Sequence, residues 1–420
     1  MLEQVNVFYE GWGERWRWGS LVSTTALTGR PLIVFEFSEE ARRRGLELSA
    51  YTLPLQGPPL RREFPRHQLH LPGPVYDALP DGWGMLLMDR LFRRRGLTTA
   101  RIGALERLAF IGGNAMGAMT FEPVMPEGQQ PDVHIPLEKL AAEVTEVLHG
   151  EGGEFLQTLL LVGGSPQGAR PKALVYRNPE NGEFTTAPTA GLEAWLVKFP
   201  AKDEHPEVCA IEMAYAECLR KCVIATPETQ YFSLPNGMAA FASKRFDRQQ
   251  GMRVPMQSLA AFTGADFQSP GVLDYVNFVR ATQMCTNDVR EMAVAFERAV
   301  FNIAFNNRDD HPKNFAFLMS PKGRWQLAPA YDVTFCEGPG GYHQMDVMGE
   351  ALAVSRAQVL RLAEEAEVPL DAACKLIDRI CDVAGQFASI AGHLCPGAIT
   401  RDTLQTVQGR IDQNVALLRQ

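Results

Sequence analysis

Apolar residues recur at helical spacing through the second half of the chain. Between residues 291 and 306, Met292, Ala295, Phe296, Ala299, Val300, Ile303 and Ala304 fall on one face, which predicts a buried helix ending near Asn306 and Asn307. Leu404, Val407, Ile411, Val415 and Leu418 mark a similar face near the C-terminus, and residues 359–366, 372–390 and 207–222 read as further core-forming helices. The first half opens with a period of two instead. Residues 5–9 and 17–22 are strand-like and flank Gly11-Trp12-Gly13-Glu14, which predicts a hairpin. Trp12, Trp16 and Trp18 alternate with polar residues, as one half-buried side of a sheet or as a stacking face for bases.

Helices are predicted from Pro80-Asp81-Gly82-Trp83 to Phe92 and over 137–148. Residues 105–110 precede Ile111-Gly112-Gly113-Asn114-Ala115-Met116-Gly117, which lacks a P-loop signature and reads as a tight turn. A polar, proline-rich stretch over 125–136 marks a domain boundary near residue 130. Beyond it, the glycine-rich run from Gly163 through Ser165 and Gly168 to Lys172 leads into a strand over 173–177. Small residues there let backbone N–H groups approach an anion, although an ordinary flexible connection has the same composition.

Composition narrows the class. At 420 residues the chain exceeds one ordinary core, and 46% hydrophobic and 21% charged residues are globular values. No stretch is apolar and long enough to cross a membrane, and residues 1–6 lack the basic and apolar regions of a signal peptide. The eight cysteines are scattered; Cys209, Cys218 and Cys222 have helical spacing and read as buried thiols, which suits a cytoplasmic protein. A net charge of −8 argues against direct nucleic-acid binding by the whole chain, and the runs Arg42-Arg43-Arg44, Arg61-Arg62 and Arg93-Arg94-Arg95 read as solvated faces.

The candidate chemistry lies just past the helix over 291–306. Asn307-Arg308-Asp309-Asp310-His311-Pro312-Lys313-Asn314 forms a polar loop on a rigid support. A strand over 315–319, a turn at Ser320-Pro321-Lys322-Gly323 and a strand over 325–327 then return the chain to Ala330-Tyr331-Asp332. An Asp, a Lys and an Asn at this spacing, with a second Asp beyond a hairpin, are the groups that orient a hydroxyl and hold Mg2+ on ATP. Asp309 is the candidate base; Asn314 and Asp332 are the candidate metal ligands. Lys198 sits inside the apolar strand over 195–200. Burying its ammonium demands a carboxylate, for which Glu212 is the first choice, or phosphates; the alternative is an edge-strand lysine snorkelling to water.

With those residues in place the whole chain resembles the HipA-family serine/threonine kinases, toxins of bacterial HipA-type toxin–antitoxin modules. The resemblance rests on Asp309, His311, Lys313 and Asn314, on Tyr331-Asp332, on Phe199-Pro200, on Arg245-Phe246-Asp247-Arg248, on Leu79-Pro80-Asp81-Gly82 and on residues 111–117. It implies an α+β, two-lobed protein-kinase-like fold: a β-rich N-terminal domain (1–130) and a kinase domain (131–420) whose smaller lobe spans about 131–250 and whose mostly helical lobe spans about 251–420. It also implies ATP with Mg2+. Lys198, Ser165, Gly168, Glu212 and His311 would line the nucleotide, Lys313 would neutralise the γ-phosphate, and Ser165 would be autophosphorylated to shut the enzyme down. Arg170 and Pro171 depart from the family loop pattern S-x-x-G-A-Q-x-K. The expected acceptor is a protein, with aminoacyl-tRNA synthetases as the family precedent, and DNA binding would fall to a helix-turn-helix antitoxin. Residues 337–343 read as a mobile activation or substrate-positioning loop. A small-molecule kinase and a catalytically silent antitoxin partner are the competing readings.

Overall fold

Alternation of buried and exposed residues builds the first sheet. In β1 (Gln4–Tyr9), Val5, Val7 and Tyr9 are buried while Gln4 faces solvent. It pairs antiparallel with β2 (Trp16–Thr25) on one side and β5 (Met119–Glu122) on the other. β3 (Pro31–Phe37) and β4 (Leu60–Arg61) complete the order β4-β3-β2-β1-β5. Trp16 stacks on Tyr9 at 4.7 Å, and Trp18 packs against Phe35 and Phe37. Both tryptophans are therefore core. Trp12 lies in the turn at φ 55° and donates its indole N–H to the Met319 carbonyl at 3.0 Å.

The computed structural model describes residues 2–25, 31–61, 63–98, 102–125, 135–150, 168–186, 189 and 191–420. Ser165, the glycines before it and most of the proposed boundary segment lie outside the described residues. Contacts divide the chain into two compact units: Met1–Glu204 with Leu234–Gln257 and Met319–Gly323, and His205–Ser233 with Ser258–Leu318 and Arg324–Gln420.

The first unit is β-rich. In its second sheet β6 (Lys172–Arg177) lies between β7 (Phe184–Thr185) and β8 (Glu193–Lys198), and the strand Ala239–Lys244 pairs with the far side of β8. A buried ionic knot holds residues 111–117 against 245–253. Asp247, with no exposed surface, accepts from Arg245 (2.9 and 2.7 Å), from Arg248 (2.7 Å) and from the Gly117 N–H (2.8 Å). Arg248 also reaches the carbonyls of Ala115 and Gly117, both at 3.1 Å, and Arg253 reaches those of Gly113, Ala115 and Gly117. The glycine run thus serves as a carbonyl cradle for arginines, since Asp247 alone cannot balance Arg245 and Arg248, and Arg253 has only the more distant Glu10 at 3.8 Å.

The second unit is helical. Helices Glu207–Lys221, Tyr275–Thr286, Val289–Ala304, Arg356–Glu365, Leu370–Ala384, Phe387–Leu394 and Arg401–Arg419 surround one apolar core that includes Tyr215, Tyr275, Phe278, Phe296 and Phe301. Cys209, Cys218 and Cys222 are buried in or beside it, and burial pushes the Cys222 thiol up to about 12. The helix expected over 372–390 is two helices, because Gly385, a poor helix former, and Gln386 break it. Among the described residues no helix is long and apolar enough to cross a membrane.

Candidate active site

The site in the second unit starts where the Val289–Ala304 helix stops. Its last carbonyls need partners, and the Tyr215 hydroxyl donates to the Phe305 carbonyl at 2.5 Å. Asn306 then takes a left-handed conformation (φ 53°), which asparagine tolerates well, and the chain leaves the helix axis. Its side chain is held from two sides: Nδ2 donates to the Cys336 carbonyl and Oδ1 accepts from Asn414 Nδ2, both at 3.1 Å. The C-terminal helix, predicted to be core alone, therefore also supports the loop.

From Asn307 inward runs a chain of buried hydrogen bonds. Asn307 Nδ2 donates to Asn302 Oδ1 (2.9 Å), Asn302 Nδ2 to the Tyr275 hydroxyl (3.0 Å), and that hydroxyl to Asp310 Oδ2 (2.8 Å). Asp310 has no exposed surface, and also meets His343 Nδ1 at 2.7 Å and the Gln344 N–H at 2.7 Å. It is an organising anchor. Residue spacing gave it no role, because its partners come from a helix before it and a loop beyond it.

Its neighbour Asp309 faces the other way, with 47% of its side chain exposed. Oδ1 accepts from Gln344 Nε2 at 2.7 Å and lies 3.7 Å from His311 Nε2. Asp309 is pushed above the ordinary aspartate value by loss of hydration and by the like charges of Asp332 and Asp310, against the opposing pull of His311 and of the Gln344 hydrogen bond. Asn314 Nδ2 donates to the Asp309 carbonyl at 2.7 Å, which leaves its amide oxygen as the acceptor side. The Tyr331 hydroxyl donates to the Lys313 carbonyl at 2.7 Å and so ties the loop to the segment bearing Asp332. Lys313 is buried, its Nζ 4.4 Å from the Phe267 ring centroid, and Phe267 also lies beside the His311 ring. Asp332 is left-handed (φ 55°), an uncommon state that aspartate adopts more readily than most residues. Asn307, Asp310, Asn314, Tyr331 and Asp332 line one recess.

Asp309, His311, Lys313, Asn314 and Asp332 are thus gathered in one unit. Glu212 is buried on the Glu207–Lys221 helix of that unit. Lys198 and Gly168 belong to the first unit. Lys198 is 5% exposed on a central strand, its Nζ 5.9 Å from the Phe241 ring centroid, which overturns the snorkelling edge-strand alternative. Directly across the β6–β8 ladder from it is Lys172, 2% exposed, which residue spacing did not single out.

Gly168, at the end of the glycine-rich loop, takes φ 112°, open to glycine but strained for other residues. Its N–H donates to the Asp81 carboxylate, and its carbonyl accepts from the Trp83 N–H at 3.2 Å. A Cβ on Gly82 would lie 2.8 Å from Ala169 Cα and 2.9 Å from the Gly168 carbonyl oxygen. The Leu79-Pro80-Asp81-Gly82 segment is therefore the seat of the Gly168–Ala169 backbone. Arg170 pairs with Glu204 at 3.0 Å, and the Pro171 carbonyl accepts from the Phe199 N–H at 2.9 Å.

The fold and site define an α+β protein with a β-rich first unit and a helical second unit that carries an Asp–Lys–Asn loop. The sequence pattern of the HipA-like C-terminal domain matches residues 164–387, and that of the HipA N-terminal domain matches residues 13–122. The first match spans more than half of the chain, and the chain belongs to the HipA family. Among solved structures, the toxin–antitoxin complex of HipA, HipB and operator DNA from Shewanella oneidensis MR-1 contains a chain similar in fold, with a TM-score of 0.70 and 19% identity over 98% of this chain and 96% of that one. The Helicobacter pylori proinflammatory kinase CtkA gives a TM-score of 0.41 and 13% identity over 60% of this chain and 89% of that one, a likeness too slight to carry an argument. No curated protein matches the chain by sequence.

Proposed function

We propose that the chain is a toxin–antitoxin-type kinase that transfers the γ-phosphate of Mg-ATP to a serine or threonine hydroxyl of a protein. The observation that carries this reading is the stitched loop of the second unit. Asp309 has its proton affinity raised, and hydrogen bonds tie it through Asn314 and Lys313 to the segment bearing Asp332. In its role Asp309 accepts the hydroxyl proton, and Lys313 and His311 lie against the phosphates.

The donor set fits Mg2+. Asn314 and Asp332 offer hard oxygens on one recess, and Asn307 Oδ1, buried in its lining, has no hydrogen-bond partner among the described residues. When bound, the ion neutralises charge on the phosphates. Lys198, Lys172 and Gly168 are the phosphate-binding residues proposed for the first unit. Glu212 is proposed as a nucleotide-site residue of the second unit.

Residues 1–130 form the proposed N-terminal domain and 131–420 the kinase domain. Ser165 is the proposed autophosphorylation site; close to two negative charges there would repel ATP. By the precedent of the Shewanella complex, the proposed partner is an antitoxin of HipB type, and the family resemblance adds that it carries a helix-turn-helix. An aminoacyl-tRNA synthetase is the proposed acceptor, in the cytoplasm.

The test is labelling from γ-labelled Mg-ATP, with and without cell extract, by wild type and Ser165→Ala. The expected result is self-labelling that vanishes in Ser165→Ala while an extract protein is still labelled. An absence of protein label despite stabilisation of the fold by ATP would point to a small-molecule acceptor or a silent partner.

A further inference from the structure

We propose that Gln344 is the positioning residue that sets the Asp309 carboxylate for proton transfer. This rests on the reading of Asp309 as the base. Gln344 touches both adjacent aspartates: its backbone N–H donates to Asp310 Oδ1 at 2.7 Å, and its side-chain Nε2 donates to Asp309 Oδ1 at 2.7 Å. The two contacts differ in kind. Asp310 is buried and already held by Tyr275 and His343, so the backbone at residue 344 sits on a fixed anchor. From there the side chain reaches a carboxylate that is half exposed and otherwise lightly held, with His311 at 3.7 Å.

An aspartate turns easily about its last torsion, and a base must present one oxygen along the path of the proton it takes. The carboxylate accepts only, so the amide NH2 must be the group facing it. A neutral donor fixes Oδ1 without adding a full positive charge beside the base. Among the described residues no hydrogen bond reaches Oδ2, which is left for the hydroxyl.

The neighbouring loop reinforces the anchor. Arg308 grips the carbonyls of Gly341 and Leu352, and the His343 N–H donates to the Ala351 carbonyl at 2.8 Å. The segment predicted as mobile is thus tied down at the point where Gln344 leaves it.

Any substitution at residue 344 other than proline keeps the backbone bond to Asp310, so the side chain can be tested alone. Label transfer from γ-labelled Mg-ATP onto the protein itself and onto casein would be measured for wild type, Gln344→Ala, Gln344→Leu and Asp309→Asn. Thermal melts with and without Mg-ATP would accompany them. In Gln344→Ala and Gln344→Leu, kcat is expected to fall about tenfold to a hundredfold, with KM for Mg-ATP and the nucleotide-induced rise in melting temperature unchanged. Wild-type kcat in Gln344→Leu beside an inactive Asp309→Asn would overturn this inference and leave the base reading standing, as would a loss confined to KM. Wild-type turnover by Asp309→Asn, or none by wild type, would overturn the base reading and this inference with it.

Discussion

A carboxylate with no exposed surface is tolerable only when its partners outweigh its lost hydration, and Asp247 makes the case. Burial alone would raise its pKa, but Arg245 and then Arg248 outweigh that and hold it well below the ordinary aspartate value. A depressed pKa stabilises the fold above the unfolded value of about 3.9, and the contribution is lost as pH falls through the folded pKa. Asp247→Asn should therefore cost about 3–5 kcal/mol near neutral pH, because it strands buried guanidinium groups. Its melting curve should also be less sensitive to acid below about pH 4 than that of wild type. Equal melting temperatures at pH 7 would contradict the account. Gly82 rests on sterics instead. Gly82→Ala is expected to weaken Mg-ATP binding by displacing the Gly168–Ala169 backbone, measurable as a smaller nucleotide-induced shift in melting temperature.

At the scale of elements, the hydrophobic pattern foretold most of what holds the candidate site. The helix expected over 291–306 is Val289–Ala304, and the returning strand over 325–327 is Trp325–Leu327. Periodicity reports which face of a segment is buried, so it finds such elements. It cannot report what a buried polar residue touches. Asp310, Tyr275, Asn302, Asn414 and Gln344 come from distant positions, and their meeting depends on packing that no local window encodes. The strand register that sets Lys172 opposite Lys198 was hidden for the same reason. The loop over 337–343 shows the converse: its glycines suggested mobility, yet Gly338 is needed for close packing. A Cβ there would stand 2.7 Å from Arg308 Cβ and 2.1 Å from the Tyr342 carbonyl oxygen, at φ 72°. Gly338→Ala should lower the melting temperature by more than Gly349→Ala, where φ is also positive but the space around the glycine is open.

At the scale of the whole molecule, the first compact unit draws on both stretches matched by the family patterns, 13–122 and 164–387. The ionic knot is the physical reason: carbonyls of residues 113–117 serve guanidinium groups of 248 and 253. A fragment of residues 131–420 would carry those arginines without their acceptors and is expected to melt below the full chain. The proposed function rests on the second unit, where a helix end, a hairpin and a buried aspartate hold Asp309, the proposed base, and Asn314 and Asp332, the proposed oxygen ligands. The direct test is to compare Mg-ATP binding and phosphoryl transfer in wild type and Asp309→Asn. The account expects retained binding with transfer reduced by about a hundredfold or more. Equal transfer by the two proteins would contradict it.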